Sequence, residues 1–243
     1  MTNPTAAILI IGDEILTGRT REGNAWFLAG ELARAGIDLL QIRVIGDDHA
    51  TIVAAVRDLA GAVDHLFTSG GIGPTHDDIT ADAVAAAFRQ KIGVRDDARA
   101  LLAAHYALRG QDLTEARLRM ARIPDTATLI DNPVSTAPGF SIENCHVMAG
   151  VPSVFQAMVA GLLPRLRGGQ PLLSRNWLMH APESTVADPL RELAQAHPKV
   201  AFGSYPFTAE GGRYGTNLVV RTTDPDALEA AFAALQATFP EGQ

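Results

Sequence analysis

Thr68-Ser69-Gly70-Gly71-Ile72-Gly73-Pro74-Thr75-His76-Asp77-Asp78-Ile79-Thr80 stands between an apolar, strand-like run at residues 63–68 and a helical pattern that starts near Thr80 and runs through Phe88. Its three glycines remove side chains where the backbone must turn tightly, so that successive N–H groups can face an anion. A loop of this kind between a strand and a helix suits a phosphate. It lacks the Gly-Lys-Ser/Thr ending of a P-loop and the Gly-x-Gly-x-x-Gly of a dinucleotide fingerprint. Thr80 is expected to cap the helix, with Asp82 in its first turn.

Outward from this loop the same punctuation repeats. Residues 6–11 read as a buried strand, 23–35 as an amphipathic helix stopped by Gly36, 39–45 as a strand and 50–60 as a helix. Such alternation predicts an α/β fold with a mainly parallel sheet. Residues 95–121 read as a helical excursion broken at Gly110, and short strands at 127–130, 139–142 and 146–148 complete the sheet before a helix that opens at Val151-Pro152-Ser153. Arg167-Gly168-Gly169-Gln170-Pro171 marks a hinge. It divides the chain into a domain at residues 1–168 and a small α+β domain at 172–243. The latter reads as a strand at 172–179, a helix at 185–196, a strand at 200–205, a hairpin turn near Gly211-Gly212, a strand at 216–222 and a helix at 225–238.

The 243 residues carry 27 acidic against 20 basic side chains, a formal charge of -7, which argues against a nucleic-acid-binding surface. Apolar runs of only a few residues fall well short of the roughly 20 that span a bilayer, so no membrane partner is expected. The first residues show no export signal, and the single cysteine, Cys145, reads as a buried thiol of a cytoplasmic protein.

Three acidic pairs follow the first three strands: Asp13-Glu14, Asp47-Asp48 and Asp77-Asp78. In open α/β sheets ligands bind at the carboxyl ends of the strands, where these pairs would converge. Carboxylates beside a phosphate cradle repel the ligand unless a hard divalent cation, Mg²⁺ by preference, bridges them. With Lys91 and Lys199 the sole lysines, positive charge must come from metal or from arginine, and Arg19 and Arg21 are the candidate clamps. The histidines show no zinc spacing, and His76 alone sits in the loop. Residues 132–140 and the Gly150-Val151-Pro152-Ser153 helix start are further pocket candidates, the latter as a second anion site.

These residues resemble a known family, the molybdopterin-binding domain shared by MogA, MoaB and the amino-terminal part of the competence/damage-inducible protein CinA. The carriers are Gly12-Asp13-Glu14-Ile15-Leu16-Thr17-Gly18, Asn24, Gly46-Asp47-Asp48, Ser69 to Thr80 and Gly150 to Ser153. The string from Gly70 through Thr80 is similar to the CinA branch. Molybdopterin adenylyltransferases carry Thr where Ile72 stands, which turns the reading away from adenylylation. In the tail, Phe202-Gly203-Ser204-Tyr205-Pro206 and Asn217-Leu218-Val219-Val220 look like the small domain that follows this module in CinA-like proteins and eukaryotic FAD synthases.

The resemblance implies a three-layer α/β/α domain, a homo-oligomer (dimer or trimer) and metal-dependent cleavage of a nucleotide pyrophosphate such as ADP-ribose. The expected catalytic residues are Asp47, Asp77 and Asp78, with Asp47 and Asp78 also holding metal and Asp13 or Glu14 in support. Ser69, Gly70, Gly71, Ile72, Gly73, Thr75, Glu14, Asn24, Gly150, Pro152 and Ser153 are expected to bind phosphate or substrate. A non-catalytic pterin- or nucleotide-binding module, with molybdopterin as the bound group, and molybdopterin adenylylation remain the alternatives.

Overall fold

The computed structural model describes residues 2–208, 212 and 214–242. The chain divides into two compact units, Met1–Gly169 and Gln170–Gln243. The first contains strands β1 (Thr5–Ile11), β2 (Asp38–Ile45), β3 (His65–Ser69), β4 (Ile92–Val94), β5 (Arg122–Pro124), β6 (Thr128–Ile130), β7 (Gly139–Ile142) and β8 (Cys145–Met148). Its helices are α1 (Asp13–Leu16), α2 (Asn24–Ala35), α3 (His49–Ala60), α4 (Thr80–Ala87), α5 (Asp96–Ala107), α6 (Glu115–Leu118) and α7 (Pro152–Leu162). The main sheet has the order β2-β1-β3-β8-β7-β6. Strands β2, β1, β3 and β8 run parallel, and β7 and β6 close the sheet antiparallel.

Strand β1 explains the layering. It is apolar from Ala6 to Ile11 because both its faces are covered. Ala7, Leu9 and Ile11 face a core with Ile52, Val56 and Leu59 of α3, Val84 of α4 and Leu102 of α5. Ala6, Ile8 and Ile10 face the opposite core, with Leu28 and Leu32 of α2 and Phe155, Met158 and Val159 of α7. The result is the expected three-layer α/β/α domain. Helix α2 buries Ala25, Leu28 and Leu32, spaced three and four apart, and stops at Gly36, whose φ of 69° is the left-handed conformation of a helix end.

Several expectations are corrected. The chain after β1 makes a short helix, α1, a single turn with no period in the sequence to announce it. The excursion from 95 is helical but framed by β4 and β5, an antiparallel ribbon whose three-residue strands are too short to show a period in the sequence. Thr80 is the first residue of α4 rather than its cap. Ile79 occupies the cap position, and the Thr80 hydroxyl is buried without a hydrogen-bond partner.

The second unit is an antiparallel sheet of β9 (Leu173–Met179), β10 (Ala201–Thr208) and β11 (Tyr214–Thr222) in the order β10-β11-β9, with helices α8 (Glu183–Ala196) and α9 (Pro225–Thr238). Leu218 and Val220 of β11 pack against Val186 and Leu190 of α8 and Leu228, Phe232 and Leu235 of α9. Helix α9 starts where Asp224 accepts hydrogen bonds from the Asp226 and Ala227 N–H groups, with Pro225 in the first turn. Of the hairpin turn expected at Gly211-Gly212, Gly211 lies outside the described residues. No helix among the described residues is long and apolar enough to cross a membrane.

Cys145 is fully buried in the first core, and burial pushes its thiol far above the ordinary range. His146, 4% exposed, is held down to about 4 by burial, helped by the adjacent His65 ring. A group whose native pKa is depressed stabilises the fold above its unfolded value near 6.5, and that contribution is lost progressively as pH falls from there to the native value. Stability is therefore expected to drop by about 2–3 kcal/mol from this residue alone between pH 7 and pH 4.5. Urea titrations at both pH values, with His146→Phe flattening the slope, check it.

Candidate functional site

The carboxyl ends of β1, β2, β3 and β8 meet at one edge of the sheet. The chain leaves β1 for β2 on one side and later returns to β3 on the other, which is the strand reversal at which α/β sheets open a crevice. There lies a cleft of about 530 Å³, lined from the segments after β1 (Gly12, Glu14, Thr20), after β2 (Asp47), after β3 (Gly70 to Pro74, Asp77, Asp78) and after β8 (Ala149 to Pro152). Asn132, Ser135 and Ala137 of the loop between β6 and β7, together with Met120, form the rest of its wall with Ile11 and Val154.

Glycine is required where these segments touch. Gly70 has φ 110°, and a Cβ there would run into the Ile11 carbonyl, while a Cβ on Gly150 would lie 3.2 Å from the Gly70 Cα. Gly71, with φ 68°, has no room beside the Thr80 hydroxyl. Gly70 N donates to the Met148 carbonyl at 3.1 Å, stitching the loop to β8. Among the described residues the N–H groups of Gly71, Ile72 and Gly73 find no protein acceptor and are free to bind an anion.

The acidic pairs divide their labour. Asp47 Oδ2 accepts from Asp13 N at 2.9 Å, and Asp13 Oδ1 accepts from Asp47 N at 3.3 Å, so the two residues clip the ends of β1 and β2 together. Asp48 caps α3, accepting from Thr51 N at 2.8 Å, and so is spent on structure. Asp78 Oδ2 accepts from Thr75 N at 2.8 Å and from the Thr75 hydroxyl, leaving Oδ1 outside that turn. Glu14, Asp47, Asp77 and Asp78 all line the cleft, and among the described residues no lysine or arginine does. The charges act on one another: Asp47 is raised from the ordinary carboxylate range by burial, and by Asp13, Glu14 and Asp77, against the lowering effect of the Asp13 N–H.

Among the described residues no cluster of three or more His, Cys, Asp or Glu side chains forms a ready-made metal cage. Two carboxylates with a free oxygen each, beside the glycine loop, still fit magnesium, which takes one or two carboxylates and completes its shell with water and phosphate oxygens.

The structure places the remaining expected residues less uniformly. Gly70 to Gly73, Gly150 and Pro152 line the cleft, whereas Ser153 is exposed beyond it and Thr75 acts on Asp78. Asn24 and Ser69 are 6% and 2% exposed and bond to each other: Asn24 Nδ2 donates to Ser69 Oγ at 2.9 Å and to the Gly150 carbonyl at 2.8 Å. They border a smaller recess of about 50 Å³ beside the cleft. Arg19 and His76 are exposed outside the cleft lining, and Arg21, also exposed, borders the smaller recess rather than the cleft itself. Arg119 was not anticipated. From the turn after α6 its Nε donates to the Thr75 carbonyl at 3.1 Å and its Nη2 to the Asp78 carbonyl at 3.3 Å, bracketing the glycine loop from behind. An arginine in a polar helical stretch carries no signal that could have singled it out.

Fold and cleft together define an α/β/α domain of the molybdopterin-binding type. Residues 7–168 match the probable molybdopterin binding domain, and residues 171–243 match the middle domain of FAD synthase. The crystal structure of a CinA protein from Thermoplasma acidophilum superposes with a TM-score of 0.62 at 34% identity, covering 68% of this chain and 99% of that one. A CinA-like protein of Desulfosudis oleivorans is 34% identical over 82% of this chain and 51% of its own length. A probable FAD synthase of Caenorhabditis elegans is 34% identical over 96% of this chain and 49% of its own length. The chain thus spans about half the length of each of these two relatives. It belongs to the molybdopterin-binding-domain family, in the CinA-like branch, with an FAD-synthase-type middle domain at its carboxyl side.

Proposed function

We propose that this chain is a divalent-metal-dependent pyrophosphatase acting on ADP-ribose or a related nucleotide. The observation that carries the reading is the gathering of Glu14, Asp47, Asp77 and Asp78 around glycine-loop N–H groups in a cleft lined, among the described residues, by no basic side chain. Such a cleft repels a bare polyphosphate and accepts one that arrives with a cation. A magnesium ion held by Asp47 and Asp78 would polarise the phosphoryl group and lower the pKa of bound water.

The chain's own residues do the rest. The N–H groups of Gly71, Ile72 and Gly73 hold phosphate oxygens. Glu14 and Asp77 orient the attacking water or take its proton. Water adds to one phosphorus, the bridging P–O bond breaks, and ADP-ribose becomes AMP and ribose 5-phosphate. The smaller recess beside Asn24 adds room for a polar edge of the ligand. The name of the FAD synthase relative adds a dinucleotide to the substrates worth trying.

Incubating the purified chain with ADP-ribose, with Mg²⁺ or with a chelator, and separating the products tests the reading. Metal-stimulated AMP release is expected. No AMP from ADP-ribose, FAD or NAD under any divalent metal removes the hydrolase. Calorimetric binding of a pterin or nucleotide without turnover would replace it by a binding module.

A further inference from the structure

A second cavity lies away from the strand ends. Ser141 on β7 stands opposite Thr128 on β6 and opposite His146 on β8, so the three side chains form one row across a face of the sheet. Ile130, two residues along β6, faces the same way and belongs to the core that α2 and α7 cover. Across a pocket of about 200 Å³ this row meets the end of α7, at Gly161 and Leu162, and the turn beyond it, at Arg165 and Leu166.

The pocket changes character from its depth to its mouth. Ile130, His146 and Leu162 are buried and form the depth with the part-buried Ser141 and Leu166. Ser141 Oγ is 2.9 Å from His146 Nδ1, so these two polar groups already hold each other and the depth offers chiefly apolar contact. Asp131 and Arg165 also line the pocket, and their side chains are 77% and 61% exposed, which puts one charge of each sign at the mouth.

The two charges are loosely engaged. Arg165 Nη2 lies 3.6 Å from Asp131 Oδ2, too far for a hydrogen bond and open to water, so the pair contributes little to stability and gives way readily to better partners. Opposite charges side by side complement a zwitterion, whose carboxylate turns to the guanidinium and whose ammonium turns to the carboxylate. A simple anion would bring its charge against Asp131, and a simple cation against Arg165. Below the mouth, an apolar cavity of about 150 Å³ is enough to hold benzene. The volume here therefore takes a benzyl or isobutyl group hung from a zwitterionic head.

We infer that this pocket is a binding site for a free α-amino acid with a large apolar side chain. Its carboxylate pairs with Arg165, its ammonium with Asp131, and its side chain lies among Ile130, Leu162 and Leu166. None of these residues lines the cleft at the strand ends, so the site stands apart from the reaction proposed there.

The experiment titrates the isotope-labelled full chain with phenylalanine and follows the amide resonances of Thr128, Ser141 and Gly161, with those of Gly71 and Gly73 as the reference for the cleft. Saturable shifts in the millimolar range, confined to the first group, are expected. Hydrocinnamate lacks the ammonium, phenethylamine lacks the carboxylate and alanine lacks the ring, and each should bind about tenfold more weakly. Asp131→Asn should weaken phenylalanine about tenfold and leave hydrocinnamate no weaker, while Arg165→Gln should weaken it as much and leave phenethylamine no weaker. Both side chains are exposed, and the crossed ligands separate a lost charge from a lost structure. The inference is overturned by the absence of a saturable shift, by shifts at the cleft amides instead, by any of the three analogues binding as tightly as phenylalanine, or by either variant binding it undiminished.

Discussion

Asp78→Asn is expected to lower metal-stimulated AMP release from ADP-ribose by roughly 100- to 1,000-fold while leaving the melting temperature almost unchanged. The two effects separate because Asp78 has two tasks. One carboxylate oxygen ties down the Thr75 N–H and hydroxyl, a role that an amide oxygen can take over. The negative charge that would hold the cation cannot be replaced in this way. Asp78→Ala should lose both, with about 1 kcal/mol of stability following the turn's missing acceptor. Product analysis beside thermal melts of both variants distinguishes the outcomes. Equal activity in wild type and Asp78→Asn would leave Asp78 a purely structural residue.

Gly70→Ala is expected to be the most damaging single methyl group in the chain. At φ 110° an L-residue is strained wherever it sits, and here its Cβ would also collide with the Ile11 carbonyl, a backbone atom of β1 that cannot swing aside. A loss of more than about 4 kcal/mol is expected, enough to lower the melting temperature by roughly 10 °C or to prevent folding. Gly161→Ala is the matched control. There the new methyl group meets nothing within 4 Å, and no loss of stability should appear in the same melts.

The elements legible in the sequence are those whose burial is regular. Strand β1 is a continuous apolar run because helices cover both its faces, and α2 announces its length through Leu28, Leu32 and the stop at Gly36. The glycine loop was equally plain, since Gly70 and Gly71 stand where no side chain fits. What escaped is local in a different sense. Strands β4 and β5 are three residues each, below any detectable period, and α1 is a single turn.

The site divides along similar lines. That Glu14, Asp47, Asp77 and Asp78 share a cleft follows from their places after parallel strands, which the sequence displays. That Asp48 serves as a helix cap, and that Asn24 and Ser69 bond to one another, depends on side-chain direction and burial, which residue type alone does not encode. Arg119 reaches the loop from more than forty positions away in the chain, a distance over which no spacing rule operates.

The sealed position of Cys145 sets when its sulfur can react. Desolvation keeps it protonated, and Leu66, its register partner on β3, shields it inside the first core. Alkylating reagents and peroxide must wait for the parallel strands to part, so the rate at which this single atom is modified measures the opening of the sheet itself.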